Sequence, residues 1–477
     1  MTFGACAPPG RDKPIGVNLS PALEFVNIGI LDQIHWSKAM PKKKRYDRRF
    51  ANPDFRARTQ VPAPPVEDIA QRLRAMLTPA SFAQLSRRGG SDPVKRRNRL
   101  LTLPVMTAII VSLVWRQIPS LTELLRVLAQ EGLLWVEPIS VSKQALSKRL
   151  AQLPSALFAR LFDEALAQVS PSPLPEQGGS ADSSSNFTCV WLADGSTLEA
   201  LRRKLKELKQ QPNPLAGKML MIVEALTRRP VKAFYSERAQ TNDKAFSDQV
   251  IDAVPAGGLL VVDLGFFSFP LFDKFSDEKK YFLTRLREKT GYEVLDLLCS
   301  GKRFRDEIIK LGKYRSNPCR TLVRMVSVEW GGGWYRYLTN VLDPEQLSAR
   351  EVCELYLRRW RIEEAFLLTK RLLGLSYLWV GTSNGVEIQL YATWIFYAVL
   401  VDLCGEVSQA LKEPIEKISV EMVFRSLYHY SRAVERGDNS RAVEYLVAHA
   451  KLLGLVKAKR KRHKERLSQT IEIWGSP

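Results

Sequence analysis

The hydrophobic period of this chain changes twice, and that limits its possible folds more than any other feature. From Val66 to Val169 apolar residues recur at helical spacing. From Thr188 to Leu338 they come in short runs of strand length, and from Ser348 to about Leu453 the spacing is helical again. The stretch Pro171–Asn186 (PSPLPEQGGSADSSSN) reads as a linker by composition. The expected architecture is α/β, with a central sheet flanked by N-terminal and C-terminal helical regions.

Strands are expected at Thr188–Ala193, Met219–Val223, Val231–Tyr235, Leu259–Val262, Tyr281–Arg287, Thr321–Trp330 and Tyr335–Leu338, with a helix over Asp243–Val254. Upstream, helical patterns begin at Val66 and cover Leu101–Arg116 and Leu121–Gln130, and Ser142–Leu150 reads as a short polar-basic helix. These helices read either as a DNA-binding module or as an ordinary bundle with a solvated face. Downstream, a capping box (Ser348-Ala349-Arg350-Glu351) opens a helix that runs to Leu373, with Gly374 in the stop position. The domain expectation is a basic, disordered extension over 1–60, a helical domain over 61–170, the linker 171–186, a core over 187–385, a helical region over 386–456 and a basic tail over 457–477.

The formal net charge is +21 and the pI is near 9.7, which points to a polyanionic partner, nucleic acid above all. With only four histidines, metal chemistry would fall to carboxylates, which suit Mg²⁺ or Mn²⁺. Six scattered cysteines without a C-x-x-C pair argue against a zinc finger or a disulfide framework and for reduced thiols in a cytoplasmic compartment. Met1–Gly10 lacks the pattern of a secretory signal. Leu103–Trp115 is too short to span a bilayer, and Ile388–Cys404 is 17 residues interrupted by Gln389 and Asp402. Both read as buried helices, so no membrane partner is expected.

Two aspartates stand at the ends of expected strands: Asp194 before Gly195-Ser196-Thr197, and Asp263 before Leu264-Gly265. A carboxylate at the carboxyl end of an apolar strand sits at the rim, where α/β sheets place their sites. Alone, each reads equally as a turn former or helix cap. In the helix from Ser348, Tyr356, Arg359, Glu363 and Lys370 are separated by three, four and seven residues, which returns them to one face. One carboxylate among a phenol, a guanidinium and an ammonium suits a metal-bound phosphate. The same spacing also describes an amphipathic helix with ion pairs on its wet face.

Tyr356-x2-Arg359-x3-Glu363-x6-Lys370 resembles the Tyr-Arg-Glu-Lys signature of bacterial insertion-sequence transposases, in the subgroup that excises its DNA through hairpin ends. The segment 356–366 (YLRRWRIEEAF) resembles that family's segment around its catalytic glutamate, and the neighbourhoods of Asp194 and Asp263 resemble those of its two aspartates. Leu283–Leu286 and Tyr337–Asn340 resemble intervening family segments, so the likeness covers roughly residues 100–400. It implies a ribonuclease H-like mixed-sheet core with an Asp-Asp-Glu triad, Asp194, Asp263 and Glu363, and an inserted β subdomain at about 285–345. Glu364, the nearest competitor to Glu363, sits about 100° around the helix.

The chemistry it implies is cut-and-paste transposition: Mg²⁺-dependent phosphodiester hydrolysis, hairpin formation and strand transfer. Three carboxylates would hold two Mg²⁺ (or Mn²⁺) ions roughly 3.5–4 Å apart beside a strand end. Tyr356, Arg359, Lys370 and Arg285 would grip DNA phosphate, while Trp334 and Tyr335, with Trp330 behind them, would receive a flipped base. The partners implied are double-stranded DNA, both terminal inverted repeats and target, and a second copy of the chain in a dimeric end complex. Lys95–Arg99 and Lys143–Arg149 are candidates for reading the terminal repeat within a helical DNA-binding domain. The alternatives are a non-cutting DNA-binding descendant and a non-transposing nuclease of the same fold.

Overall fold

The computed structural model describes residues 65–77, 82, 100–118, 120–168, 186–199, 215–330, 332–375, 378–379 and 382–457. The basic extension 1–60, linker residues 171–185 and the tail beyond Lys457 lie outside them, as do Lys95–Arg99. The first described helices are α1 (Glu67–Met76), α2 (Leu103–Trp115), α3 (Leu121–Gln130), α4 (Lys143–Gln152) and α5 (Ser155–Gln168). Helix α2 is apolar all round and buried from Met106 to Trp115, as a helix inside a core must be. Helix α4 is the expected polar-basic one, opened by Ser142, whose side chain accepts from Ala145 N.

The strands follow: β1 (Val190–Glu199), β2 (Leu215–Glu224), β3 (Pro230–Ser236), then a 3₁₀ turn Asp243–Phe246 into α6 (Ser247–Ala253), β4 (Leu259–Val262), α7 (Phe269–Asp277), β5 (Tyr281–Arg285), β6 (Tyr292–Gly301), β7 (Phe304–Leu311), β8 (Val323–Trp330) and β9 (Gly333–Thr339). They form one nine-stranded sheet in the order β3-β2-β1-β4-β5-β9-β8-β7-β6. An antiparallel β1–β3 meander is continued by β4 and β5, both parallel to β1. This is a ribonuclease H-like core. Antiparallel pairing of β5 with β9 carries the sheet directly into β6–β9, so the inserted strands extend the core sheet.

Side chains alternate across the sheet, and each face has its own core. Ala193, Leu260, Val262 and Phe282 pack with Phe272 and Phe275 of α7 and Val250 and Ile251 of α6. Leu192, Val261 and Leu283 face the other way, onto the cluster that holds the remaining helices. Those are α8 (Ala349–Arg358), α9 (Arg361–Leu367), α10 (Ser383–Leu411), α11 (Val420–Glu435) and α12 (Ala442–Ala448). Helix α10 is 29 residues long and apolar enough by length and composition to cross a membrane, but 94% of its most apolar window is buried against the protein. Burying a Leu, Ile or Phe side chain contributes about 1.5–3 kcal/mol, so a helix packed on nearly all sides is a natural central post.

Four expectations are corrected. Strand β1 does not stop at Ala193 but runs on through Asp194 to Glu199, because β2 continues to pair with it after β4 has ended. The mixed acid-and-base stretch Leu198–Gln210, which reads as a helix by composition, begins as strand, and its residues from 200 on lie outside the described residues. Strands β6 and β7 were not anticipated: β6 is an edge strand with Val294, Leu295 and Leu297 exposed and two register shifts, so it lacks a clean two-residue alternation. Finally, the helix from Ser348 keeps its expected capping box but is not continuous to Leu373. It breaks at Arg359-Trp360 and passes through a π-helical turn, Leu368–Leu372.

Candidate catalytic carboxylate site

Parallel pairing of β1 with β4 ends at Ala193–Val262, so Asp194 and Asp263 are the next residues of two neighbouring strands. Adjacent strands lie about 4.8 Å apart, which sets the two aspartates side by side at the carboxyl end of the sheet. Asp194 is 8% exposed, and its Oδ1 accepts from Gly195 N at 2.8 Å. Asp263 caps the following 3₁₀ turn, its Oδ1 accepting from Gly265 N at 2.7 Å.

The helical segment supplies the other half. Arg359, at the break between α8 and α9, is 6% exposed. It donates from Nη1 to Asp194 Oδ2 at 2.8 Å, and its Nη2 lies 3.8 Å from Glu363 Oε1. The guanidinium carbon stands 4.8 Å from the Trp360 ring centre and 5.8 Å from that of Tyr356. Tyr356 is itself buried against Tyr337 of β9, ring centres 5.0 Å apart. Glu363 is half-exposed, whereas Glu364 turns away to Lys457 at 2.8 Å and Arg228 at 3.8 Å. Lys370 lies in the π-helical turn and donates from Nζ to Ser196 Oγ, two residues beyond Asp194.

The three acids share one electrostatic field. Burial pushes the Asp194 carboxyl up to about 7; Arg359 opposes the rise, and Asp263 and Glu363 add to it. Burial also raises Asp263, against the Gly265 hydrogen bond, and raises Glu363. Among the described residues, no three His, Cys, Asp or Glu side chains stand close enough together to hold one metal ion. Instead, the Arg359 guanidinium lies between Asp194 and Glu363 and stands in for a cation there. Carboxylates already arranged around a positive charge are the hard oxygen donors that Mg²⁺ or Mn²⁺ takes, so the donor set fits such an ion.

A fourth acid, Asp243, escapes sequence reasoning, which registers it only as the start of a helix. It pairs with Lys218 of β2, without the geometry of a hydrogen bond, and its charge adds to the rise at Asp263. Two glycines make room for it. A Cβ at Gly195 would lie 2.1 Å from Asp243 Oδ1, and one at Gly265 would lie 2.5 Å from Asp243 Oδ2 and 2.8 Å from Asp263 Oδ1. The available signal was a glycine one or two residues after each aspartate, which marks a close approach.

The aromatic candidates divide. Tyr335 lies on the same face as Tyr337, 6.1 Å from Trp330 between ring centres, with Arg285 5.7 Å from its ring centre. Trp334, its neighbour along β9, projects from the opposite face and is 43% exposed. The structure therefore brings Arg285 to Tyr335 but does not join Trp334 to them. On α4, Lys143 and Lys148 are exposed, while Arg149 is buried and donates from Nε to Leu101 O at 3.2 Å.

Residues 186–399, which contain Asp194, Asp263 and the whole Tyr356–Lys370 stripe, match the family described as Transposase DDE domain. The likeness is to transposases. A Synechocystis sp. protein named as a transposase for insertion sequence element IS4SA is 25% identical over 166 residues, 34% of this chain and 46% of that protein. A Geobacillus stearothermophilus protein named as a transposase for insertion sequence element IS5377 is 26% identical over 151 residues, 30% of this chain and 38% of that protein. The chain thus spans less than half the length of these curated transposases. Among solved structures, a piggyBac transposase synaptic complex with hairpin DNA is 10% identical, with a TM-score of 0.36, covering 84% of this chain and 89% of that one.

Proposed function

We propose that this chain is an insertion-sequence DDE transposase of the hairpin-forming subgroup, which cuts DNA at the terminal inverted repeats of its element and joins the ends to target DNA. The observation that carries the reading is the β1–β4 register, which brings Asp194 beside Asp263, with Glu363 tied to Asp194 through Arg359. In this reading Asp194, Asp263 and Glu363 hold two Mg²⁺ or Mn²⁺ ions. Such ions supply Lewis-acid activation for an in-line displacement at phosphorus. Tyr356, Arg359 and Lys370 grip a phosphate near the cleaved end, the Arg359 guanidinium standing 5.8 Å from the Tyr356 ring centre. Arg285 beside Tyr335 takes a second phosphate, and the Tyr335–Trp330 face receives a flipped base, while Trp334 offers a separate aromatic surface on the other face of β9. Helices over 61–170 bind the repeat through phosphate contacts, and 386–456 serves a homodimer.

The test is a strand-processing assay with the full chain, labelled element ends and either Mg²⁺ or EDTA. Metal-dependent nicking, a hairpin product and joined 3′ ends are expected. A gel shift without nicking would leave a DNA-binding descendant, and nicking without joining would leave a nuclease.

A further inference from the structure

The position of Arg359 raises a question that the proposed chemistry leaves open. Its guanidinium fills the space between Asp194 Oδ2, at 2.8 Å, and Glu363 Oε1, at 3.8 Å. A divalent cation seated between these two carboxylates would meet the positive guanidinium at close range, so guanidinium and metal compete for the same space. The guanidinium is also incompletely satisfied where it rests: Arg359 Nε is buried without a hydrogen-bond acceptor. A buried orphan donor makes this arrangement less stable than one in which every N–H is used. A DNA phosphate, with several acceptor oxygens, offers such an arrangement. The backbone permits the change, because Arg359 lies at the break between α8 and α9, its N–H bonded to Tyr356 O in a tightened turn at 3.2 Å.

We propose that Arg359 is an internal counter-ion that keeps the carboxylate site closed to divalent cations until a DNA phosphate draws it off, so that DNA and metal bind cooperatively. This rests on the proposed function in taking the three acids as the metal site. By linkage, each ligand must strengthen the other by the same factor. The device would confine metal loading, and hence cutting, to the DNA-bound protein.

Mn²⁺ binding to the full chain, followed by electron paramagnetic resonance of the free ion, tests this without any cleavage step. Without DNA, Arg359→Gln should bind Mn²⁺ at least tenfold tighter than the wild type. Lys218→Gln removes an equal charge beside Asp243 without opening the space between Asp194 and Glu363, and should change affinity less than threefold. Equal gains in both variants would mean that simple charge removal is responsible, and the proposal fails. It fails also if Arg359→Gln binds Mn²⁺ no tighter than the wild type. Should Arg359→Gln not fold, the wild type decides: a saturating short duplex should raise Mn²⁺ affinity at least tenfold after subtracting the ion bound by an Asp263→Asn control with the same duplex, and an unchanged affinity overturns the proposal. If Asp263→Asn has no effect on Mn²⁺ binding in any background, it is the carboxylate site that is refuted, and the counter-ion with it.

Discussion

On the strand side of the site, Asp194 and Asp263 take their places from the register of two paired strands and from hydrogen bonds to Gly195 and Gly265. On the helix side, Arg359, Glu363 and Lys370 occupy three short segments joined by a break and a π-helical turn. A paired strand end cannot move without breaking its ladder, whereas a helix that has already given up its regular hydrogen bonds can change its turn at low cost. The strand half therefore acts as the fixed reference of the site and the helix half as its adjustable part. The irregularities have a geometric use. A strictly regular helix would drift by about 20° over the seven residues from Glu363 to Lys370, and the wider π turn offers a different path for Lys370 to Ser196.

The largest expected effect treats the halves as equals. Asp263→Asn and Glu363→Gln should each reduce cleavage on the order of 10³-fold or more, measured as single-turnover nicking, while end binding in a gel shift changes less than threefold. If only the strand-side variant is inactive, the helix half does not supply the third acid. Next in size, Gly265→Ala attacks the fixed half, since its Cβ would push at both Asp243 and Asp263. Overpacking of this kind costs about 1–3 kcal/mol, and displacing a group that orients a metal ligand costs about 10–100-fold in activity. Thermal melting and nicking should therefore both fall. An unaffected enzyme would show that the strand half is less rigid than its register indicates.

Lys370→Ala should be milder, lowering strand processing about tenfold and the salt slope of end binding by about one. The smallest effect concerns pH. The folded protein holds a proton on Asp194 up to about 7, whereas an exposed carboxylate loses it near 4. The folded state thus binds more protons than the unfolded state in that interval, and metal-free stability should fall as pH rises through it. Denaturant unfolding at several pH values should give a slope of at most about 1.4 kcal/mol per pH unit from this group, and Asp194→Asn should remove it.

The difference between the halves also explains what the sequence discloses. The run Leu259–Val262 followed by Asp263 is readable because a strand buried on both faces admits little but apolar residues, so the first carboxylate marks its end. Asp194 shows the same composition inside a longer strand, since pairing to β2 outlasts pairing to β4, and pairing partners are not written locally. The spacing of Tyr356, Arg359, Glu363 and Lys370 gives a common direction but neither the break at Arg359 nor the π turn, where the side chains meet Asp194 and Ser196 from distant parts of the chain. Asp243 was invisible because nothing in its own segment states that Gly195 and Gly265 open a space for it. Trp334 and Tyr335 look like one platform when only their adjacency in sequence is considered, yet strand alternation sends neighbours to opposite faces, and β9 obeys that rule.

The central claim is that Asp194, Asp263 and Glu363 converge on one divalent-cation site once Arg359 has moved aside. Its most direct measurement is the anomalous scattering of Mn²⁺ in crystals of the full chain bound to element-end DNA. The account predicts manganese peaks with carboxylate oxygens of all three residues at about 2.1 Å and the Arg359 guanidinium on a phosphate. Manganese seated elsewhere, or bound while Arg359 still bridges Asp194 and Glu363, would contradict it.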